Sequence, residues 1–308
     1  MTKKDLPPPS AELLFHPERD TEYRFFENAS DHSFMPAAQF SRANAWWLAD
    51  AALLAYSDGP TMRGVYDRVG LNSEFLTGGS TQCHLAWSAD FVIVAFRGTQ
   101  ADEWQDILDD ARLVQDSWPT GRVHIGFKMA LGRVEDSLRA KLETLRLGRT
   151  IWFTGHSLGA ALATLAADSF DPDGTSRTYT FGSPRVGNRA FANAFAARRA
   201  ERTFRYVNHS DVVARVPPPV LLLPPLSYRH VGTPKFIATD GGISSRDLGM
   251  SNLLTGLIRG TKRFLEVVEG LKKGHLTLLP DFLVDHTPRR YAVHAWNALV
   301  GVRGSPVE

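Results

Sequence analysis

The 308-residue sequence predicts an α/β fold, with a mostly parallel central sheet and helices on both faces. Three observations carry this expectation. Strand-like and helix-like segments alternate from residue 91 to residue 208, the pattern of parallel strands joined by crossover helices. The segment FVIVAF at Phe91–Phe96 is apolar on both faces, as a central strand covered by helices must be. From Ile151 the run IWFTGHSLGAALATLAA passes from a buried strand, through a turn bounded by glycines, into an alanine-rich helix.

The elements follow in order. Residues 1–34 are polar and proline-bearing with scattered aromatics, and predict an arm lying on the body. Residues 35–308 are expected to form a single domain, since large α/β folds fill this length, with 215–285 as an insertion or cap region. Helical spacing of Phe40, Trp47 and Leu54 predicts a helix over 36–56, stopped by Ser57-Asp58-Gly59-Pro60. QCHLAW and FVIVAF then flank Ser88-Ala89-Asp90 as two strands about a tight turn. A loop over 97–121 leads to one helix near Gly126–Arg146. Strand 150–154, helix 160–167, strand 177–181, helix 189–199 and strand 203–208 complete the alternation.

Composition removes several function classes. Hydrophobic residues make up 43% and charged residues 22%, ordinary for a globular chain. Thirty-five Lys and Arg against 33 Asp and Glu give a net charge of +2. That balance, with no basic stripe interleaved with aromatics, argues against nucleic acid as a partner. The one cysteine, Cys83, excludes an internal disulfide, a cysteine-rich zinc site and a CxxC redox motif. HExxH, GxxxxGK[ST] and a GxGxxG opening a βαβ unit are all missing, so no metal and no cofactor are expected. No apolar run approaches the roughly 18 residues that a membrane-spanning helix needs. The N-terminus, MTKKDLPPPS, has prolines where a Sec-type leader has its apolar core. A cytoplasmic location is therefore expected, with leaderless export as the alternative.

Gly155-His156-Ser157-Leu158-Gly159 is a G-x-S-x-G, a weak signal as a bare pattern and a strong one between a buried strand and a helix. A strand-to-helix turn of this kind lifts the serine hydroxyl to the sheet's C-terminal edge. A Cβ at either glycine would clash in so tight a turn, and the following helix amides face the reacting oxygen. Serine is a poor nucleophile until a base takes its proton, and the base needs an acid to orient it. In this arrangement the chain order is serine, acid, histidine. Asp211 stands out as the acid because it lies just past the strand TFRYVN. Downstream histidines are His209, His230, His275, His286 and His294. His286 sits in a late loop before a C-terminal helix, where the base belongs, whereas His294 lies inside that helix. His230 stays open on the residues alone. His156 adjoins the serine, but consecutive side chains diverge.

Taken together, the motifs resemble the class 3 lipases, the fungal-type triacylglycerol lipases of the α/β-hydrolase superfamily. The likeness runs from about Asn44 to Tyr291 and rests on ordered motifs. These are AFRGT at 95–99, VHIGF at 123–127, TGHSLGAALATL from Thr154 and TFGSPRVGN at 180–188. NHSDVVARVPP from Asn208, YRHVGT at 228–233 and DHTPRRY at 285–291 follow. The resemblance implies Ser157 as nucleophile, Asp211 as acid and His286 as base, with His230 a structural landmark. It implies an oxyanion hole from the amides of Leu158 and Thr99, and Gly98 beside it letting the backbone approach the substrate. It also implies a lid after the Arg97-Gly98 turn, where Trp104 and Leu108 are candidates amid many acids. Secreted fungal members carry disulfides that this chain lacks, so secretion is not carried over.

The resemblance implies a carboxylester hydrolase that cleaves acylglycerols through an acyl-enzyme on Ser157. A phospholipase A1 or a short-chain carboxylesterase would use the same chemistry with a different pocket. A serine peptidase or amidase, and a non-enzymatic interaction module on a hydrolase fold, are the readings from other classes. Leu221, Leu222 and Leu223 are candidate acyl-binding residues, favouring medium or long chains. Residues 252–273 form an amphipathic basic pattern that covers the sheet or an acyl cleft, or else meets a lipid interface.

Overall fold

The computed structural model describes residues 1–37, 39–98, 114–217, 227–245 and 279–301. Helix α1 spans Ala11–Phe15, α2 Arg42–Leu54 and α3 Gly59–Arg68, before strands β1 Asn72–Gly78, β2 Thr81–Trp87 and β3 Phe91–Phe96. Next come β4 Gln115–Ser117, β5 Arg122–His124, helices α4 Ile125–Gly132 and α5 Glu135–Leu145, and strand β6 Thr150–His156. Helix α6 Leu158–Phe170 leads to β7 Arg177–Phe181, β8 Gly187–Asn188, α7 Arg189–Arg199 and β9 Thr203–Asn208. Strands β10 Tyr228–Arg229, β11 Thr233–Ile237 and β12 Ile243–Ser244 precede helices α8 Asp281–Val284 and α9 Pro288–Val300.

The main sheet has the order β1-β2-β3-β6-β7-β9-β11-β12. Strands β3, β6, β7, β9 and β11 are parallel, with antiparallel pairs at both edges. A smaller antiparallel sheet, β10-β8-β5-β4, forms partly from the span expected to be loop. Alternation sorts the β3 side chains. Ile93 and Ala95 join the aromatic core beneath α2 and α9, while Val92, Val94 and Phe96 join the core beneath α4, α5 and α6. The sheet is therefore covered on both faces, which is why its central strands carry no polar alternation.

Local chemistry explains the boundaries that differ from expectation. Helix α2 starts at Arg42 and not at 36, because Ser41 is the N-cap and its hydroxyl accepts the Asn44 N–H at 3.3 Å. The Ser57–Pro60 stop is also a start: Asp58 caps α3 by accepting the Thr61 N–H at 2.9 Å, and Pro60 fits its first turn. The single helix expected over 126–146 is two. Gly132 ends α4, and Val134, buried at φ −119°, turns the chain into α5. Within 215–285, β11 extends the main sheet by pairing in parallel with β9.

The N-terminal residues are tied down by a buried carboxylate. Asp50 of α2 accepts the Tyr23 O–H at 2.6 Å and the Phe26 N–H at 2.8 Å. Burial pushes its carboxyl up to about 7 against the pull of those two donors. The folded state therefore holds this proton more tightly than the unfolded chain does. The associated stability is full below about pH 4 and is lost as pH rises toward 7, at about 1.4 kcal/mol per pH unit. Asp50→Asn is expected to flatten the fall of Tm between pH 5 and 7, because Tyr23 can turn its hydroxyl to accept from the amide. Thermal melts across that range check it. An unchanged slope in the variant would contradict it.

Candidate active site

The C-terminal ends of the parallel strands gather the site. Ser157 follows β6, Gly182 follows β7 and Asp211 follows β9, while His286 sits in the turn between α8 and α9. Ser157 has φ 59° and ψ −125°, a conformation that L-residues rarely adopt. It occupies the N-cap position of α6, yet its side chain makes no capping bond. Its N–H donates to Phe181 O at 3.0 Å, and its carbonyl accepts the Ala160 N–H at 3.0 Å, so the turn is pinned from both sides. A Cβ on Gly155 would lie 2.3 Å from Gly159 C, and one on Gly159 would lie 2.2 Å from Phe96 O. Only glycine fits at either position, which explains the bounded turn. The neighbours of Gly98 are Tyr56 Oη and His156 O, at 2.0 and 2.7 Å from a notional Cβ, so packing inside the fold already demands that glycine.

Asp211 and His286 are both fully buried and share a hydrogen bond of 2.8 Å between Oδ2 and Nδ1. A carboxylate can only accept, so Nδ1 carries the proton and Nε2 keeps its lone pair. Asp211 Oδ1 accepts the Val213 and Ala214 N–H groups at 2.8 and 3.3 Å, fixing the carboxylate plane. Two further bonds join the acid and histidine loops. Asn208 Nδ2 donates to Asp285 O at 2.9 Å, and the Ser210 N–H donates to Asp285 Oδ2 at 3.0 Å. Gly182, at φ 60°, backs the pair: a Cβ there would lie 2.9 Å from both Asp211 Oδ2 and His286 Cε1.

Sequence reasoning did not assign two tyrosines that brace this arrangement. Tyr291 of α9 donates to Asp211 Oδ2 at 2.6 Å and accepts the Asn208 N–H at 2.9 Å. Burial and the Asp211 charge hold its phenol well above the usual range, so it stays a neutral donor. The signal was faint, a tyrosine five residues after His286 on the buried side of a helix. Tyr56 Oη bonds His156 Nδ1 at 2.9 Å, and the His156 ring lies 4.4 Å from that of His286. Burial, followed by the neighbouring His286, drives the His156 pKa well below the usual imidazole value and leaves a neutral ring beside His286. A hydrogen bond to a charged group contributes about 1.5–3 kcal/mol. Tyr291→Phe is accordingly expected to lower kcat by at least about tenfold, measured by steady-state hydrolysis of a soluble ester. An unchanged kcat would mean that Tyr291 serves packing alone.

The other histidines lie in different settings. His230 bonds the Ala214 backbone, and burial and the nearby Arg205 and Arg185 push its pKa down, so it braces the loop after Asp211. His294 is buried in α9 and burial lowers it to about 4. His209 is exposed and contacts Ser210 Oγ at 2.6 Å. Leu158 opens α6, so its amide is among the first helix donors, which have no intrahelical acceptor. Thr99, Trp104, Leu108, Leu221, Leu222, Leu223, His275 and the 252–273 segment lie outside the described residues. Among the described residues, no group of three or more His, Cys, Asp or Glu side chains is placed to hold a metal, and no helix is long and apolar enough to cross a membrane.

The fold is that of the α/β-hydrolases. Rhizomucor miehei triacylglyceride lipase superposes with a TM-score of 0.56 at 22% identity, covering 79% of this chain and 94% of that one. A triacylglycerol lipase described as having a serine protease triad at its catalytic centre gives 0.55 at 24% identity, covering 70% and 86%. The family described as Lipase (class 3) matches residues 93–221. A secreted mono- and diacylglycerol lipase 1 of Fusarium solani is 36% identical over 135 residues, 42% of this chain and 38% of that protein. A chloroplastic phospholipase A(1) of Arabidopsis thaliana is 29% identical over 221 residues, 58% of this chain and 49% of that protein. The chain thus spans less than half the length of these curated relatives. Over residues 93–221 it is similar to the class 3 lipases. The expectation of a cytoplasmic location does not stand: the relatives from Fusarium solani, Malassezia restricta and Malassezia globosa are named secreted lipases, which points outside the cell.

Proposed function

We propose that this chain is a serine carboxylester hydrolase of the lipase type, cleaving acylglycerol esters through an acyl-enzyme on Ser157. The observation that carries the reading is the buried Asp211–His286 pair, with the acid following a strand of the same sheet as a serine held at φ 59° in a glycine-bounded turn. Ser157 Oγ attacks the ester carbonyl as His286 Nε2 takes its proton, and the imidazolium that forms is stabilised by Asp211. His286 then gives that proton to the leaving alcohol. In the second half, His286 activates water to cleave the acyl-enzyme. The Leu158 amide, with Thr99 as the expected second donor, would bind the oxyanion. Losing one such donor typically costs about 3–4 kcal/mol in the barrier.

Acylglycerols are favoured as substrates by the mono- and diacylglycerol lipases among the relatives. A phospholipase A1 activity is the second reading, favoured by the Arabidopsis and rice relatives that bear that name. Initial rates on emulsified monoacyl-, diacyl- and triacylglycerol beside phosphatidylcholine vesicles separate the two. Faster release of fatty acid from the glycerides supports the first reading, and faster release from phospholipid supports the second. Absence of hydrolysis of every ester offered would contradict both.

A further inference from the structure

We propose that the first twenty residues act as a clamp that holds the acid-bearing and base-bearing loops in register, an inference that rests on the assignment of Asp211 and His286 just made. The two residues come from loops 75 positions apart in the chain, and their hydrogen bond at 2.8 Å leaves little tolerance. Helix α1 lies across both loops. Its Leu14 and Phe15 form one apolar cluster with Val213 and Val216, which follow the acid, and with Leu283, which precedes the base. The helix is set in place by Ser10, whose hydroxyl accepts the Leu13 N–H at 3.2 Å.

A polar path runs parallel to this apolar one. Arg290 of α9 donates to Pro7 O at 3.3 Å with one guanidinium nitrogen and pairs with Asp285 Oδ1 at 3.4 Å with another. Asp285 Oδ2 in turn accepts the Ser210 N–H. Asp285 is the residue before His286, and Ser210 is the residue before Asp211, so Arg290 links the arm to the immediate neighbours of both members of the pair. Arg289 makes a second anchor, pairing at 2.8 Å with Asp20, whose side chain is nearly enclosed. Leu14, Phe15 and Arg290 touch no reacting atom; they are positioning residues. An arm that only covered apolar surface would need the cluster but not a guanidinium bridging it to Asp285. A planar fork can hold a carbonyl and a carboxylate at once, which a lysine ammonium does far less well.

Misplacement of catalytic groups by about 1 Å can cost up to roughly a hundredfold in rate. In the full chain, Leu14→Ala/Phe15→Ala is expected to lower kcat by between about ten- and a hundredfold on a soluble p-nitrophenyl ester, with KM changed by less than about twofold. The rate at which an organophosphonate labels Ser157 should fall in parallel. The apolar pair Leu14→Met/Phe15→Leu, which keeps most of the buried volume, should restore most of both rates. Arg290→Gln opens no apolar cavity and gives the same test should the double alanine variant fail to fold; its kcat should fall by about tenfold, and Arg290→Lys should not restore it. Circular dichroism at the assay temperature establishes that each variant tested is folded. Wild-type kcat in a folded Arg290→Gln or double alanine variant, with unchanged labelling, would overturn the clamp alone. Failure of the unaltered protein to take label at Ser157 would overturn the site assignment and the clamp with it.

Discussion

Ser157→Ala is expected to lower kcat for ester hydrolysis by on the order of 10⁶, the loss seen when the nucleophile of a serine hydrolase is removed. The fold should survive, because the hydroxyl caps no helix and the turn is held by backbone bonds to Phe181 and Ala160. A second substitution separates chemistry from stability. Ser157→Gly removes the same hydroxyl but also relieves a backbone held at φ 59° and ψ −125°. It should be just as inactive, yet more stable than Ser157→Ala by about 1 kcal/mol. Hydrolysis assays with thermal melts on the two variants check both halves. More than a few per cent of activity in either would remove Ser157 from the nucleophile's role.

Replacement of the pair behind the serine should be nearly as severe. His286→Ala deletes the proposed base and is expected to match Ser157→Ala, as nucleophile and base do where they act as one unit. Asp211→Asn is more instructive. Its Oδ1 is fixed by the Val213 and Ala214 amides, so the new NH₂ must replace Oδ2, the atom that faces His286 Nδ1 and Tyr291 Oη. A donor there forces Nδ1 to accept and puts the imidazole proton on Nε2, where no lone pair remains for Ser157. The expected loss in kcat is about 10⁴. Single-turnover acylation of the three proteins measures this, and a loss in Asp211→Asn of less than about tenfold would mean that another acid orients the histidine.

Much of this arrangement could be read before any coordinates, for physical reasons that differ from residue to residue. The Ser157 turn was legible because its requirements are local: glycines where a Cβ has no room, a buried strand before it and alanines after it. The central strands were legible because burial on both faces leaves a continuous apolar run, as in Phe91–Phe96. Strand β11 was not legible. TPKFI carries a proline at its second position and takes its ladder from β9, whose paired residues lie 29 positions earlier, so the strand exists because an edge was there to pair with. Strand β1, NSEFLTG, is only partly buried along its length and so shows no clear alternation. The division between α4 and α5 was hidden because the apolar pattern continues through Gly132 to Val134 and only the backbone changes direction. Tyr291 and Tyr56 were missed for a further reason: each contributes a hydroxyl whose partner, Asp211 or His156, is far away in the chain.

The arm shows the same limit from the other side. Residues 1–34 read as a polar arm, and the sequence alone gives the aromatics within them no destination. The destinations are Asp50 for Tyr23, the core beneath α2 for Phe26 and Phe34, and the acid and histidine loops for Leu14 and Phe15. Each is a tertiary contact with a segment outside the arm, and no periodicity within the arm encodes it.

The central claim, that Ser157 is a nucleophile activated by the Asp211–His286 pair, is tested most directly by mapping the adduct of an organophosphonate ester by mass spectrometry. The account predicts one adduct, on the peptide carrying Ser157, absent from Ser157→Ala and formed far more slowly in His286→Ala. An adduct on any other residue, or labelling of Ser157 at the wild-type rate in His286→Ala, would contradict it.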